Sequence, residues 1–275
     1  MDHSTAHLGV SVYVRVAGSK RLGVEPFPQP PEGLLDPSTG GGRHHPDLLP
    51  PYPRSAESVS PASMGLAVDY LTRLDQGAAP ESAFSISLRG ARNLGEDRRA
   101  EELLARVARG GAEGVAAAFA LSSYDQAYRR GPAFFKGEGR VPNGAALENV
   151  AAMRRYMGRF FDAYGPMVWD GPTFDGAYTA CVSAGDADFV CGDTLWDMKV
   201  SSYGATALQT LQLLVYWRLG MHSDRAAFWE GVRHVGIVNP RRATTRRWDL
   251  DRVPESTVET IDRELIGYGV SPVVG

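Results

Sequence analysis

Asp188, Asp197 and Lys199 are the residues of this chain whose types and spacing suit chemistry. Between Cys191 and Thr194 stands Gly192-Asp193, a two-residue connection that suits a type II′ hairpin. Pairing Cys191 with Thr194 sets Val190 opposite Leu195, Phe189 opposite Trp196, Asp188 opposite Asp197, Ala187 opposite Met198, and Asp186 opposite Lys199. Alternation then gives one apolar face, Ala187, Phe189, Trp196, Met198 and Val200, and one charged face, Asp186, Asp188, Asp197 and Lys199. Carboxylates directly opposite one another, with Cβ atoms ~4.5–5.5 Å apart, destabilise a sheet unless something compensates. A hard divalent cation, Mg²⁺ or Mn²⁺, compensates. It takes one or two carboxylates and keeps open positions for water and substrate oxygens. The amine of Lys199, two residues beyond Asp197, projects to the same side, where it meets a metal-bound water or a phosphate oxygen. A plain charged hairpin face with an Asp186–Lys199 ion pair worth ~0–1 kcal/mol fits the same residues. A bulge would break the register.

Lysine is a scarce choice in this sequence. Lys20, Lys136 and Lys199 are the only three among 29 cationic residues, the rest being arginine. Gln212 and Tyr216, four apart, share a helical face with Gln209 one turn earlier, as a site lining or as two amphipathic surface residues. Arg233, Arg241, Arg242, Arg246 and Arg247, with His234 and Trp248 among them, form the densest basic segment. Guanidinium forks suit phosphate and an indole suits an unpaired base, although surface arginines around a packed Trp read equally well. His222 and His234 are too isolated to make a zinc site.

The elements that must position these groups divide at about Gly165. Val10, Val12, Val14 and Val16 alternate with polar residues as a half-buried strand, and a Pro- and Gly-rich arm runs from about Glu25 to Arg54. Ser60-Pro61 opens a helix with Met64, Ala67, Leu71 and Leu74 at helical spacing. Further helices are expected from about Asp97 to Arg109, Glu113 to Arg129, and Asn143 to Tyr164. Then the period becomes two, with strands at Ala177–Val182, Ala187–Cys191 and Thr194–Val200. A helix from Ala205 to Leu219, a strand from Val232 to Val238, a polar segment from Arg241 to Pro254 and a helix from Glu255 to Ile266 complete the chain. The expected organisation is an N-terminal strand and arm over 1–56, then a domain over 57–275, helical to 165 and sheet-based from 166.

At 275 residues, 43% hydrophobic and 22% charged with net charge -3, the chain holds a sizeable core, and its total charge draws it to neither nucleic acid nor anionic membrane. Any polyanion site must be local. Apolar runs such as Val115 to Leu121 fall far short of a membrane span, and the first residues lack a signal peptide's basic and apolar regions, so a cytoplasmic protein is expected. Cys181 and Cys191 alone build neither a disulfide framework nor a four-cysteine metal centre.

Gly185 with Asp188, Asp197 with Lys199, and Gln212 with Tyr216 resemble, in order and spacing, the Gly-x-x-Asp, (Asp/Glu)-x-Lys and Gln-x-x-x-Tyr motifs of the RecB-like branch of the PD-(D/E)XK nucleases. The likeness covers about residues 175 to 239, and Ser58 to Pro61 echo a family helix start. It implies an α/β fold with a restriction-endonuclease-like core of helix, three-stranded meander, helix and strand, carrying a mainly helical N-terminal extension. It implies Asp188 and Asp197 as metal ligands with the main-chain carbonyl of Met198, and Lys199 positioning or deprotonating the attacking water. Gln212 and Tyr216 would line the site. Many members add a carboxylate from the helix before the strands, for which Glu148 is the candidate, with Asp175 and Glu101-Glu102 as rivals. The function implied is metal-dependent hydrolysis of DNA, RNA being possible, with Arg241, Arg242, Arg246 and Arg247 as a wall for the strand. A nuclease fold that binds nucleic acid or a protein partner through its N-terminal half, without cutting, is the alternative.

Overall fold

The hairpin forms in the register its turn dictates. In the computed structural model, which describes residues 40–269, Cys191 pairs with Thr194, Val190 with Leu195 and Phe189 with Trp196. Gly192 has φ +55° while Asp193 keeps a negative φ, as a type II′ turn requires. The strand expected over Val10 to Val16 and the first part of the arm lie outside the described residues.

Among the described residues six strands make one mixed, open sheet in the order β1-β6-β5-β4-β3-β2. They are β1 (Gly41–His44), β2 (Met167–Asp170), β3 (Phe189–Cys191), β4 (Thr194–Met198), β5 (His234–Asn239) and β6 (Thr244–Asp249). Among these strands β4 and β5 are the parallel pair, because the chain crosses between them through a helix. The principal helices in chain order are α1 (Pro61–Asp75), α2 (Ser85–Leu94), α3 (Asp97–Arg109), α4 (Gly111–Ser122), α5 (Asp125–Arg129), α6 (Gly144–Tyr164), α7 (Ala207–Met221) and α8 (Glu255–Thr260). From α6 onward the order is helix, three antiparallel strands, helix, parallel strand, so the chain is α/β.

Each face of the sheet carries its own core. Phe189, Trp196, Met198 and Val238 point into the helical layer, where Phe160 meets the Trp196 ring edge-on at 4.8 Å between centroids. Val190, Leu195, Val235 and Ile237 point the other way, onto Leu211, Leu214, Val215 and Leu219 of α7. Gly236 lets this sheet close over Trp196, since a Cβ there would collide with the indole. Local signals start the helices that matter. The Ser60 hydroxyl accepts from the Ser63 amide ahead of Pro61, the Asn143 side chain accepts from the Ala146 amide, and Thr206 with Gln209 completes a capping box.

Several expectations are corrected. The first meander strand is Met167–Asp170, whereas residues 177–182 run as irregular chain with a bend at 180–181, Ala177 and Val182 packing in the same core as Phe174. The paired segment ends at Phe189. Residues 186–188 turn instead to the loop after β2, with Ala187 N–H donating to the Pro172 carbonyl and Gly171 N–H to that of Asp188. This break carries Ala187 to the α7 side of the sheet, away from Phe189. Asp186 faces Thr173 rather than Lys199. Within the expected arm, Gly41–His44 is an edge strand on β6, and the polar segment after Arg241 contains β6 itself. The helix expected from 113 to 129 is two helices broken at Ser123 and Tyr124, and Ser85–Leu94 adds one not foreseen.

Candidate active site

Asp197 is the penultimate residue of β4, where alternation turns it away from the helical core that takes Trp196 and Met198. It is 2% exposed. Its Oδ1 accepts from Nζ of Lys199 at 2.6 Å, while its Oδ2 is buried with no hydrogen-bond partner. Asp188 approaches by a different route from the one its spacing suggests. Because the ladder stops at Phe189, its Oδ2 accepts the main-chain amide of Met198 at 2.6 Å, the place a strand carbonyl would otherwise fill. The two carboxylates still meet, and the charge of Asp188 is one of the causes that raise Asp197.

Both open into a cleft of about 600 Å³ at the C-terminal end of β4. One wall is α7, whose Gln212 and Tyr216 face it, and the other is α1, which supplies Gly65, Leu66 and Asp69. Gln212 Nε2 donates to the Tyr216 hydroxyl at 2.7 Å, and the Tyr216 ring stacks on Phe174 at 5.4 Å between centroids. Arg129, at the end of α5, reaches the same cleft at 3.8 Å from both Asp125 and Asp186. Asp125 is buried and accepts from the hydroxyls of Tyr70 and Ser87. Four carboxylates, Asp69, Asp186, Asp188 and Asp197, thus share the cleft with the cations Arg129 and Lys199, while Arg73 meets Asp69 at 3.2 Å from behind.

Burial dominates the titration of the site. Burial pushes Asp197 up to about 7, opposed by Lys199 and assisted by Asp188 and Asp69. Burial also pushes Asp69 up to about 6, opposed by Arg73 and assisted by Asp188. For Lys199 burial works downward, but the carboxylates of Asp197, Asp188 and Asp69 outweigh it and hold the amine above its ordinary range. Burial raises the Tyr216 phenol well above its usual value, so it stays a neutral hydroxyl.

The cluster sought from sequence therefore assembles around Asp188, Asp197, Lys199, Gln212 and Tyr216. Met198 also lines the cleft. Glu148 does not join it: the side chain is exposed in the first turns of α6, beside the Tyr52 hydroxyl at 3.4 Å. The acid that a preceding helix contributes is Asp69 of α1. The signal for it was the Ser60-Pro61 helix start, with Asp69 on the polar side of the Met64, Ala67 and Leu71 stripe. Arg129 was hidden by reading α4 and α5 as one helix.

The arginines separate. Arg241 is 8% exposed and pairs at 2.8 Å with Glu57, so it is a structural cation and not part of an open wall. Arg242 is exposed and donates to the Ser202 carbonyl, and Arg246 is exposed and donates to that of Gly40. Arg247 is half-buried against His234, which also meets Asp193. Trp248 is buried in the α7-side core and unavailable to stack on a base. His222 packs on Tyr268.

Among the described residues, no group of three or more His, Cys, Asp or Glu side chains is arranged as a ready metal site. The donors nonetheless suit a hard cation: the orphaned Asp197 Oδ2, the Asp188 carboxylate, and Asp69 across the cleft, all oxygen. Among the described residues no helix is long and apolar enough to cross a membrane. No protein-family model, curated protein or solved structure matches this chain.

Proposed function

We propose that this protein is a divalent-metal-dependent nuclease of the PD-(D/E)XK kind, RecB-like branch, built on a restriction-endonuclease-like core and hydrolysing phosphodiester bonds of DNA. One observation carries the reading. Asp197 is buried with Oδ1 on Lys199 and Oδ2 on nothing, beside a second carboxylate, in an open cleft. An unpartnered buried carboxylate oxygen costs a folded protein about 1–3 kcal/mol or more. A site that retains one suits a cation that the fold itself does not supply. The order of α6, β2 to β4, α7 and β5 supports the same reading.

Asp188 and Asp197, with Asp69 and the main-chain carbonyl of Met198, would hold Mg²⁺ or Mn²⁺. Such an ion polarises a phosphoryl oxygen and lowers the pKa of bound water. The remaining work belongs to the protein. Lys199 is kept as an ammonium, and with one hydrogen on Asp197 it has two left to orient an attacking water or a phosphate oxygen. The Arg129 guanidinium, 3.8 Å from both Asp125 and Asp186, would turn onto a phosphate and offset charge developing there. Gln212, steadied by Tyr216, sets the position of the strand above Lys199.

Incubation of the protein with single- and double-stranded DNA and RNA, in Mg²⁺, Mn²⁺ or EDTA, tests this. Cleavage of DNA should require the metal and fall by about 10³-fold or more in Asp197→Ala and Lys199→Ala, both judged against circular dichroism for folding. Wild type and variants behaving alike would overturn the assignment.

A further inference from the structure

A second concave site is lined by Ser202, from the loop that follows Lys199. It is a pocket of about 380 Å³ whose wall includes His44, Tyr52, Arg54, Ser202 and Arg242. Among the described residues no carboxylate lines it. Two acids stand nearby: Glu57 is committed to Arg241 at 2.8 Å, and Glu148 accepts from the Tyr52 hydroxyl at 3.4 Å. Arg54 is exposed and its side chain has no hydrogen bond or ion pair with any described residue, and Arg242 spends one N–H on a carbonyl. In a chain of net charge -3, two guanidiniums facing one hollow without a counter-charge mark a place for an anion.

The pocket is fixed relative to the cleft. Three peptide links join Lys199 to Ser202, so their Cα atoms stand at most about 11 Å apart. The loop between is tied down at successive carbonyls: Asn239 Nδ2 donates to Ser201 and to Tyr203, and Arg242 donates to Ser202. Tyr52 is equally anchored, its main-chain N–H and C=O both bonded to the Asn149 side chain while 40% of its surface stays exposed. A phosphate between Arg54 and Arg242 would therefore lie one or two nucleotides along a strand whose reacting phosphate sits at Lys199, with the Tyr52 ring beside it as a face for a base.

We propose that this pocket binds a backbone phosphate of the nucleic-acid strand next to the one cleaved, with Arg54 and Arg242 as its ligands. The identity of the anion rests on the nuclease reading, whereas the uncompensated charge does not.

The test is the affinity of the full chain for a fluorescein-labelled single-stranded oligonucleotide in EDTA across a salt series, for wild type, Arg54→Gln/Arg242→Gln and Asp197→Ala. The paired arginine variant should bind at least about tenfold more weakly, and its slope of log K against log salt should shrink by about 1.4, two contacts at ~0.7 each. In cleavage it should raise KM and leave kcat in place. Unchanged affinity and slope, or no binding by wild type, overturns the proposal. Inorganic phosphate that shifts the Tm of wild type and not of the double variant, with oligonucleotide affinity equal in both, would make this a free-phosphate site and reject the strand. If wild type and Asp197→Ala bind alike, the paired arginine variant binds more weakly with the reduced slope, and wild type never cleaves, the pocket stands and the nuclease reading falls.

Discussion

The carboxylate of Asp69, carried by α1, acts across the cleft on Asp197 at the end of β4, and its negative charge is among the causes that raise Asp197. These two residues are 128 positions apart and come from different layers of the fold. Their meeting makes the cleft a junction between the helical layer and the sheet, not a property of the hairpin alone.

Asp69→Asn removes one of the charges that repel Asp197 and one oxygen donor. Metal-dependent cleavage should fall by about 10- to 100-fold, and the acidic limb of the pH–rate profile should move to lower pH. Glu148→Gln, exposed on α6, should leave rate and profile as in wild type. Kinetics of the two variants side by side decide which acid belongs to the site. A Glu148→Gln loss with Asp69→Asn intact would reverse the assignment.

Legibility differed by element for physical reasons. The β3–β4 register could be read because a two-residue turn with a glycine leaves little choice, and the Phe189–Trp196 pairing was recovered. It stopped being readable one residue later. There the Asp188 side chain, and not the Ala187 carbonyl, accepts the Met198 amide, and no pattern of hydrophobicity records such an exchange. Asp69 stands four residues before Arg73 and meets it at 3.2 Å, the geometry of an ordinary helical ion pair, so only tertiary packing separates it from a solvated face. Residues 177 to 182 carry the alternation of a strand but are used as loop, their apolar members packing beneath α7. Arg241 and Arg242 are identical neighbours in sequence. One is buried on Glu57 and the other exposed, a distinction set by the chain that covers them.

Asp197 links stability to pH. An unfolded aspartate titrates near 4, whereas in the fold burial raises Asp197 to about 7. Between those values the folded protein binds a proton that the unfolded chain has released, so metal-free stability falls as pH rises through this window. Thermal unfolding in EDTA should show wild type losing about 2–4 kcal/mol more than Asp197→Asn between pH 4 and pH 8. Mg²⁺ at a hundredfold its dissociation constant should restore about 3 kcal/mol to wild type at pH 8 and little to the variant. A wild type that becomes more stable than Asp197→Asn as pH rises in EDTA would contradict the buried, uncompensated carboxylate.

The Arg241–Glu57 pair is a stability element tying the segment before α1 to the end of β5. Both side chains are buried, Glu57 fully, and Glu57 also accepts from Asn149 Nδ2 at 2.6 Å. Arg241→Met leaves a carboxylate without its counter-charge and should cost about 3–5 kcal/mol in urea unfolding. Adding Glu57→Gln should recover a large part of that loss. Metal-dependent cleavage per folded molecule should change little, which would place Arg241 outside substrate binding. Near-normal stability with a collapsed affinity for DNA would return it to the basic wall.

Gln212 and Tyr216 form one unit, and their variants should behave as one. Tyr216→Phe keeps the ring stacked on Phe174 and removes only the hydroxyl that accepts from Gln212. The stability cost should be about 1 kcal/mol, the loss of a single hydrogen bond. If the amide acts on the strand because Tyr216 holds it in place, Tyr216→Phe and Gln212→Ala should each lower cleavage by about 10-fold. The double variant should then be no slower than the worse single one, because the second change removes an interaction already gone. Fully additive losses would mean that each side chain touches the substrate on its own account, with Tyr216 donating its hydroxyl hydrogen into the cleft independently of Gln212. Single-turnover rates at saturating metal, measured for all four proteins, separate the two arrangements.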